Sequence, residues 1–78
     1  MISLEGKKQE ELKSWIKSAI IAARDFKDFI FILEYKYNVE VKKREENIYY
    51  KHPDSNSFTK DENLGVRYMM WYLKETFK

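Results

Sequence analysis

The fold is decided by residues 39–52, which read VEVKKREENIYYKH. Apolar and polar side chains alternate from Val39 to Lys43, and they alternate again from Ile48 to His52. Alternation with a period of two is typical of strands that are buried on one face. Residues 39–52 therefore predict a β-hairpin.

The faces of the two strands set the register of this hairpin. The inward-facing side chains are Val39, Val41, Ile48 and Tyr50. With these side chains on one face, the turn is centred on Glu45-Glu46 and flanked by Arg44 and Asn47. A slip of one residue would turn the apolar set toward solvent, so the register is well specified.

Two helices are predicted before the hairpin. The first spans about residues 8 to 23, because its apolar side chains recur at helical spacing. They are Leu12, Trp15, Ile16, Ala19, Ile20 and Ala23. Asp25 is a suitable N-cap for the second helix, with Asp28 in its first turn, and Asn38 is a suitable left-handed C-cap.

The chain after the hairpin begins with a polar loop over residues 53–57. Phe58-Thr59 is a candidate third strand, and residues 60–63 form a further turn. After Gly65, helical spacing of Met70, Leu73 and Phe77 predicts a third helix. The expected fold class is thus α+β: two N-terminal helices, a small antiparallel hairpin with a candidate third strand, and a C-terminal helix.

The composition favours one intracellular domain covering residues 1–78. Aromatic side chains make up 17% of the 78 residues, which lets so short a chain build a core. The chain has no cysteine, and its apolar runs are too short to span a membrane, so we expect a cytoplasmic location. The N-terminal MISLE is unlike a secretory signal. Whether the chain is complete or a fragment of a larger protein is open.

No combination of residues predicts catalysis, a metal site or a cofactor. His52 is the sole histidine, so a transition-metal site lacks partners, and we expect its position to be incidental. Asp54, Asp61 and Glu62 do not have the spacing of a calcium loop. The pairs Glu10-Glu11 and Glu45-Glu46 are expected to be solvated charges. We therefore expect a binding module and not an enzyme.

Two surfaces are candidates for binding. On the hairpin, basic side chains alternate with an aromatic one, as in surfaces that follow a phosphate backbone and stack on a base. The candidate DNA contacts are Lys42, Lys43, Arg44, Tyr49 and Lys51. A solvated sheet face is the competing explanation of these charges. Phe31, Tyr35 and Trp71 form a candidate protein interface for a partner or a second copy, with core packing as the alternative.

The order of residues also resembles a known family. The run FIFILEYKYNVEVKKREENIYYK at 29–51, HPD at 52–54, Phe58, and Leu64-Gly65 followed by Tyr68 carry the resemblance. Over roughly residues 8 to 77, the chain is similar to a segment downstream of the nuclease domain in relaxases of the MobA/MobL type. These mobilisation nucleases are encoded on conjugative and mobilisable elements of Gram-positive bacteria.

The resemblance implies a C-terminal accessory part of a DNA-processing enzyme, in contact with DNA, with the relaxase nuclease domain or with an accessory protein. The catalytic tyrosine and the metal-binding histidines of that family would lie upstream, so no tyrosine of this chain inherits their role. The family favours glycine where this sequence has Asn38 and Asn47. Asparagine also tolerates a left-handed backbone.

Overall fold

Three α-helices and a three-stranded antiparallel sheet form the fold of residues 6–77, the part of the chain that this computed structural model describes. The helices are α1 (Gly6–Ala22), α2 (Phe26–Lys36) and α3 (Met70–Thr76), and the strands are β1 (Glu40–Arg44), β2 (Asn47–Lys51) and β3 (Thr59–Lys60). The predicted α+β class is confirmed. In residues 6–77, no helix has the length and apolar character needed to cross a membrane. The segment considered for a secretory signal lies outside the described residues.

The ends of α2 follow the predicted capping chemistry. Asp25 Oδ1 accepts a hydrogen bond of 2.8 Å from the Asp28 N–H, and Asp28 Oδ2 accepts one of 3.1 Å from the Arg24 N–H. After the helix, Asn38 has a φ of 57°, and the Val39 N–H donates to the Leu33 carbonyl at 2.9 Å. A left-handed residue with this six-residue hydrogen bond ends the helix and directs the chain into β1.

The hairpin has the predicted register. Arg44 pairs with Asn47 across a turn at Glu45-Glu46, and Val41 pairs with Tyr50. Glu45 takes a φ of 53°, the left-handed conformation that tight hairpin turns require. The buried positions of Val39, Ile48 and Tyr50 confirm which face of the hairpin meets the core.

The segment after the hairpin differs from the prediction in its details. The third strand is Thr59–Lys60, one residue later than expected, because Thr59 pairs with Tyr50 and Lys60 with Tyr49. Two 3₁₀ helices follow, at Asp61–Asn63 and Val66–Tyr68. Met69 is extended, with φ −77° and ψ 149°, so α3 begins only at Met70.

The core lies between the helices and one face of the sheet. Its buried apolar residues are Leu12, Ile16, Ala19, Phe29, Leu33, Val39, Ile48, Tyr50, Leu64, Tyr68, Met70 and Leu73. The Tyr50 hydroxyl donates to the Tyr68 carbonyl at 2.9 Å. Burial raises the pKa of Tyr50, and the negative charge of Asp61 raises it further. Tyr50 therefore stays protonated and keeps this hydrogen bond.

Asp61 is a fully buried carboxylate that joins the sheet to α3. Its Oδ2 accepts from the backbone N–H of Ile48 at 3.2 Å and of Met70 at 3.0 Å. Its Oδ1 accepts from the side-chain amide of Asn47 at 3.1 Å and from the Glu62 N–H at 2.8 Å. Asp61 thereby satisfies the first N–H of α3, a position that no side chain at Met69 caps.

His52 is a second buried polar residue, and its position is not incidental. Its Nε2 lies 3.1 Å from Glu11 Oε1, and its Nδ1 accepts from the Asp54 N–H at 3.0 Å. The ring stacks on Trp15 with 5.0 Å between centroids. Glu11 therefore has a structural partner and is more than a solvated charge, and His52 holds the loop after β2 against α1.

Candidate nucleic-acid interface

The candidate interface is the face of the sheet that points away from the core. Because side chains alternate along a strand, the strand register assigns each residue of β1 and β2 to one face. The outward positions are Glu40, Lys42, Arg44, Asn47, Tyr49 and Lys51. None of them belongs to the buried core. We call these residues, together with Phe58 and Lys60, the outer face.

A row of three side chains crosses the outer face at its middle. Lys42 pairs with Tyr49 across β1 and β2, and Tyr49 pairs with Lys60 across β2 and β3. Directly paired residues in an antiparallel sheet have Cβ atoms about 5 Å apart. Tyr49 therefore lies between two lysine residues on the outer face.

A second aromatic ring lies beside this row. The Lys42 Nζ is 5.2 Å from the centroid of the Phe58 ring, within the distance for a cation–π contact. Such a contact holds the lysine stem along the sheet and leaves the ammonium partly exposed to solvent. Lys42 thus contributes a positioned charge.

The electrostatics of the outer face are mainly positive. Lys42, Arg44, Lys51 and Lys60 supply positive charges, and Glu40, opposite Lys51, supplies a negative one. Lys60 Nζ lies 3.2 Å from Glu62 Oε2 and donates a hydrogen bond to this carboxylate. The hydrogen bond is the main cause of the raised pKa of Lys60. Lys60 is therefore charged at neutral pH.

Lys43, one of the predicted DNA contacts, does not share this face. It pairs with Ile48, whose side chain is buried in the core, so Lys43 lies on the opposite side of β1. Its Nζ is 5.6 Å from the centroid of the Phe26 ring on α2. The structure brings together Lys42, Arg44, Tyr49 and Lys51, and it separates Lys43 from them.

Phe58 and Lys60 are members of the outer face that sequence reasoning missed. The sequence predicts a third strand that ends at Thr59 and a turn that begins at Lys60. The alternation Phe58-Thr59-Lys60 contained the signal, because a strand with Thr59 facing inward puts the other two residues outward. Such a short strand shows this pattern over too few residues to stand out.

The predicted protein interface divides into two sites. Phe31, Tyr35 and Trp71 are exposed by 54%, 74% and 55%, so core packing does not explain them. Phe31 and Tyr35 lie one turn apart on α2, with ring centroids 4.3 Å apart. The ring of Trp71 contacts Tyr72 on α3, and within residues 6–77 no ring contact joins it to the α2 pair.

The described part of the chain holds no cluster of three or more side chains able to bind a metal ion. Asp61 is one of the three acidic residues, with Asp54 and Glu62, that lack the spacing of a calcium loop. Both of its carboxylate oxygens accept hydrogen bonds from N–H groups. A cation there would have to displace these donors.

No family model matches this chain, and neither the curated proteins nor the solved structures include a match. The interpretation of its function therefore depends on the geometry of its own surfaces. The outer face combines separated cations with two aromatic rings. These groups suit a ligand that carries regularly spaced negative charges and flat rings, as nucleic acids do.

Proposed function

We propose that this chain is a non-catalytic DNA-binding or DNA-positioning domain that binds through its outer face. The row Lys42, Tyr49 and Lys60 is the observation that carries the proposal. Phosphate contacts by lysine and arginine supply affinity without sequence preference. Tyr49 and Phe58 offer ring faces on which exposed bases can stack.

The family resemblance supports a biological setting for this activity. In that setting, the chain is a cytoplasmic accessory domain of a relaxase-like mobilisation protein in conjugative DNA transfer. The nuclease domain of the relaxase, or an accessory protein, would be its second partner. The outer face would hold DNA while the reaction takes place in another domain.

Salt-dependent DNA binding is the expected result of the direct test. Labelled single-stranded and duplex oligonucleotides are titrated with the chain at about 50 mM and about 200 mM salt and followed by fluorescence anisotropy. If about four phosphates are neutralised, the affinity should fall roughly 50- to 150-fold between these salt concentrations. Absence of binding at micromolar protein in the lower salt would refute the proposal.

The exposed aromatic rings favour a second function, protein–protein interaction or self-association. Aromatic side chains are enriched in the cores of interfaces, and Phe31, Tyr35 and Trp71 all present ring area to solvent. Since burial of such rings stabilises association, we expect the mass of the chain to rise with concentration in sedimentation.

Replacement of Phe31 and Trp71 by serine should abolish this rise in mass while the chain stays folded. Both side chains are more than half exposed, so their loss removes little core packing. Circular dichroism of the variant checks the fold. The control is Thr76→Ser, at an exposed position on the last turn of α3. It should leave the association unchanged.

A further inference from the structure

β1 has one open edge. In the described sheet, β1 pairs with β2 alone. The Ile48 N–H donates to Asp61 Oδ2 at 3.2 Å, so it does not bond Lys43, its partner across the hairpin. Bonded and non-bonded pairs alternate in an antiparallel ladder, so the backbone N–H and C=O groups of Val41 and Lys43 point toward the open edge. They can pair with another strand.

α2 lies beside this edge and leaves one of its faces exposed. The helix runs antiparallel to β1, since Phe26 at its start lies under Lys43 and the residues after its end lead into Glu40. The exposed face consists of Lys27, Phe31, Glu34 and Tyr35 at helical spacing, followed by exposed Asn38 just after the helix. We call this set the α2 stripe. An open cleft of about 230 Å³ lies between the stripe and β1, lined by Glu34, Asn38, Val39 and Glu40.

Two acidic side chains beside the edge form no ion pair in the described part of the chain. The side chains of Glu34 and Glu40 have no ion-pair partner within residues 6–77. β1 carries Glu40 at one end and Arg44 at the other, and the α2 stripe likewise carries Lys27 toward one end and Glu34 toward the other. A strand or helix with opposite charges at its ends complements an antiparallel copy of itself.

We propose that the open edge of β1 pairs with β1 of a second copy of this chain, antiparallel and with the two-fold axis at Lys42. Glu40 then lies beside Arg44 of the second copy, and Val41 beside Lys43 of the second copy. The α2 stripes meet with Phe31 near the axis and with Lys27 against Glu34 of the second copy. The partner in the self-association proposed above is thus a second copy of the chain, and the strand pairing rests on that proposed function.

The proposed pairing uses the same surface on both copies, as a two-fold dimer requires. It satisfies the open backbone groups of Val41 and Lys43, covers the exposed ring of Phe31 and pairs Glu40 with a cation. The register is specific, because a slip by one residue would place the inner-face side chains of one copy beside the outer-face side chains of the other. The two outer faces then form one continuous basic surface.

The pairing brings two like charges together at the axis. Lysine on an edge strand discourages pairing with other strands. However, the Lys42 Nζ lies over the ring of Phe58, which precedes β3 on the far side of β2, so its charge is drawn away from the open edge. The two Glu40–Arg44 pairs at the ends set the antiparallel register.

Two charge-reversal variants test the pairing. In Glu40→Arg, both ends of the strand are positive, and in Arg44→Glu, both ends are negative. Each variant alone should self-associate about 10-fold or more weakly than the native chain, because two like-charge contacts replace two opposite-charge contacts. An equimolar mixture should form a heterodimer, since each Arg then meets a Glu. The double variant, with the charges exchanged, should recover the native association.

Sedimentation equilibrium of each variant, the mixture and the native chain measures the outcome. Lys17→Glu is the control for the change in charge alone, because Lys17 is an exposed residue of α1 and belongs to neither β1 nor the α2 stripe. This variant should associate like the native chain. If the native chain forms dimers that neither charge variant weakens, the edge pairing is wrong while self-association stands. If the native chain stays monomeric at all concentrations, both proposals fail.

Discussion

Asp61→Asn is expected to lower the free energy of unfolding by about 2 to 6 kcal/mol. A chain of this length has a total stability of roughly 4 to 12 kcal/mol, so this loss removes a large part of the total. The melting temperature should fall by at least about 10 °C. Urea denaturation followed by circular dichroism measures the change.

The physical reason is the number of donors that converge on the carboxylate. Asp61 accepts four hydrogen bonds, two on each oxygen, from Asn47, Ile48, Glu62 and Met70. An asparagine side chain keeps one acceptor oxygen and turns an NH₂ group toward the other two donors. Each buried donor left without an acceptor costs about 1 to 3 kcal/mol.

Glu62→Gln is the matched control, since it makes the same chemical change at the neighbouring residue. The exposed side chain of Glu62 pairs with Lys60 at 3.2 Å and with no other charged group in residues 6–77, so the stability should change by less than about 1 kcal/mol. If Asp61→Asn unfolded at nearly the same urea concentration as this control, Asp61 would not join the sheet to α3 as described.

The parts of the fold that sequence reasoning predicted depend on local patterns. The register of the hairpin follows from the alternation of its own side chains, and Val41 pairs with Tyr50 as the faces require. The cap at Asp25 depends on a hydrogen bond to Asp28, only three residues away. Such signals lie within a few residues and are visible in the sequence.

The buried polar contacts had no local signal. Glu11 lies 41 residues before His52, and Asp61 lies 13 residues after Ile48. In the sequence, both carboxylates stand next to other charged residues and look like solvated positions. Only the packing of α1, β2 and α3 brings their partners together, so side-chain chemistry alone could not distinguish them from their exposed neighbours.

The same difference between local and long-range signals applies to the outer face. Strand alternation in the sequence predicts that Lys42, Arg44, Tyr49 and Lys51 lie on one face, and the strand register places them there. Lys43 is adjacent to Lys42 and Arg44 in the sequence, but adjacent strand residues point to opposite faces. Lys60 lies on the outer face because it pairs with Tyr49 across β2 and β3, and no local pattern in the sequence predicts this pairing.

Simultaneous replacement of Lys42, Arg44 and Lys51 by glutamate is expected to lower DNA affinity by roughly 100-fold or more at low salt. All three side chains lie on the outer face, so the change turns a surface that attracts phosphates into one that repels them. The stability of the fold should change little, because none of the three belongs to the core. Fluorescence anisotropy at about 50 mM salt measures the affinity, and thermal denaturation checks the fold.

The control for this triple variant carries the same change in net charge at other sites. Lys7, Lys17 and Lys74 are exposed residues of α1 and α3, and their replacement by glutamate leaves the outer face intact. Long-range attraction of DNA depends on the charge of the whole chain, whereas contact with phosphates depends on where the charges lie. If both triple variants lost affinity equally, DNA binding would reflect net charge, and the outer face would not be its site. Loss confined to the Lys42, Arg44 and Lys51 variant would place the DNA on the sheet.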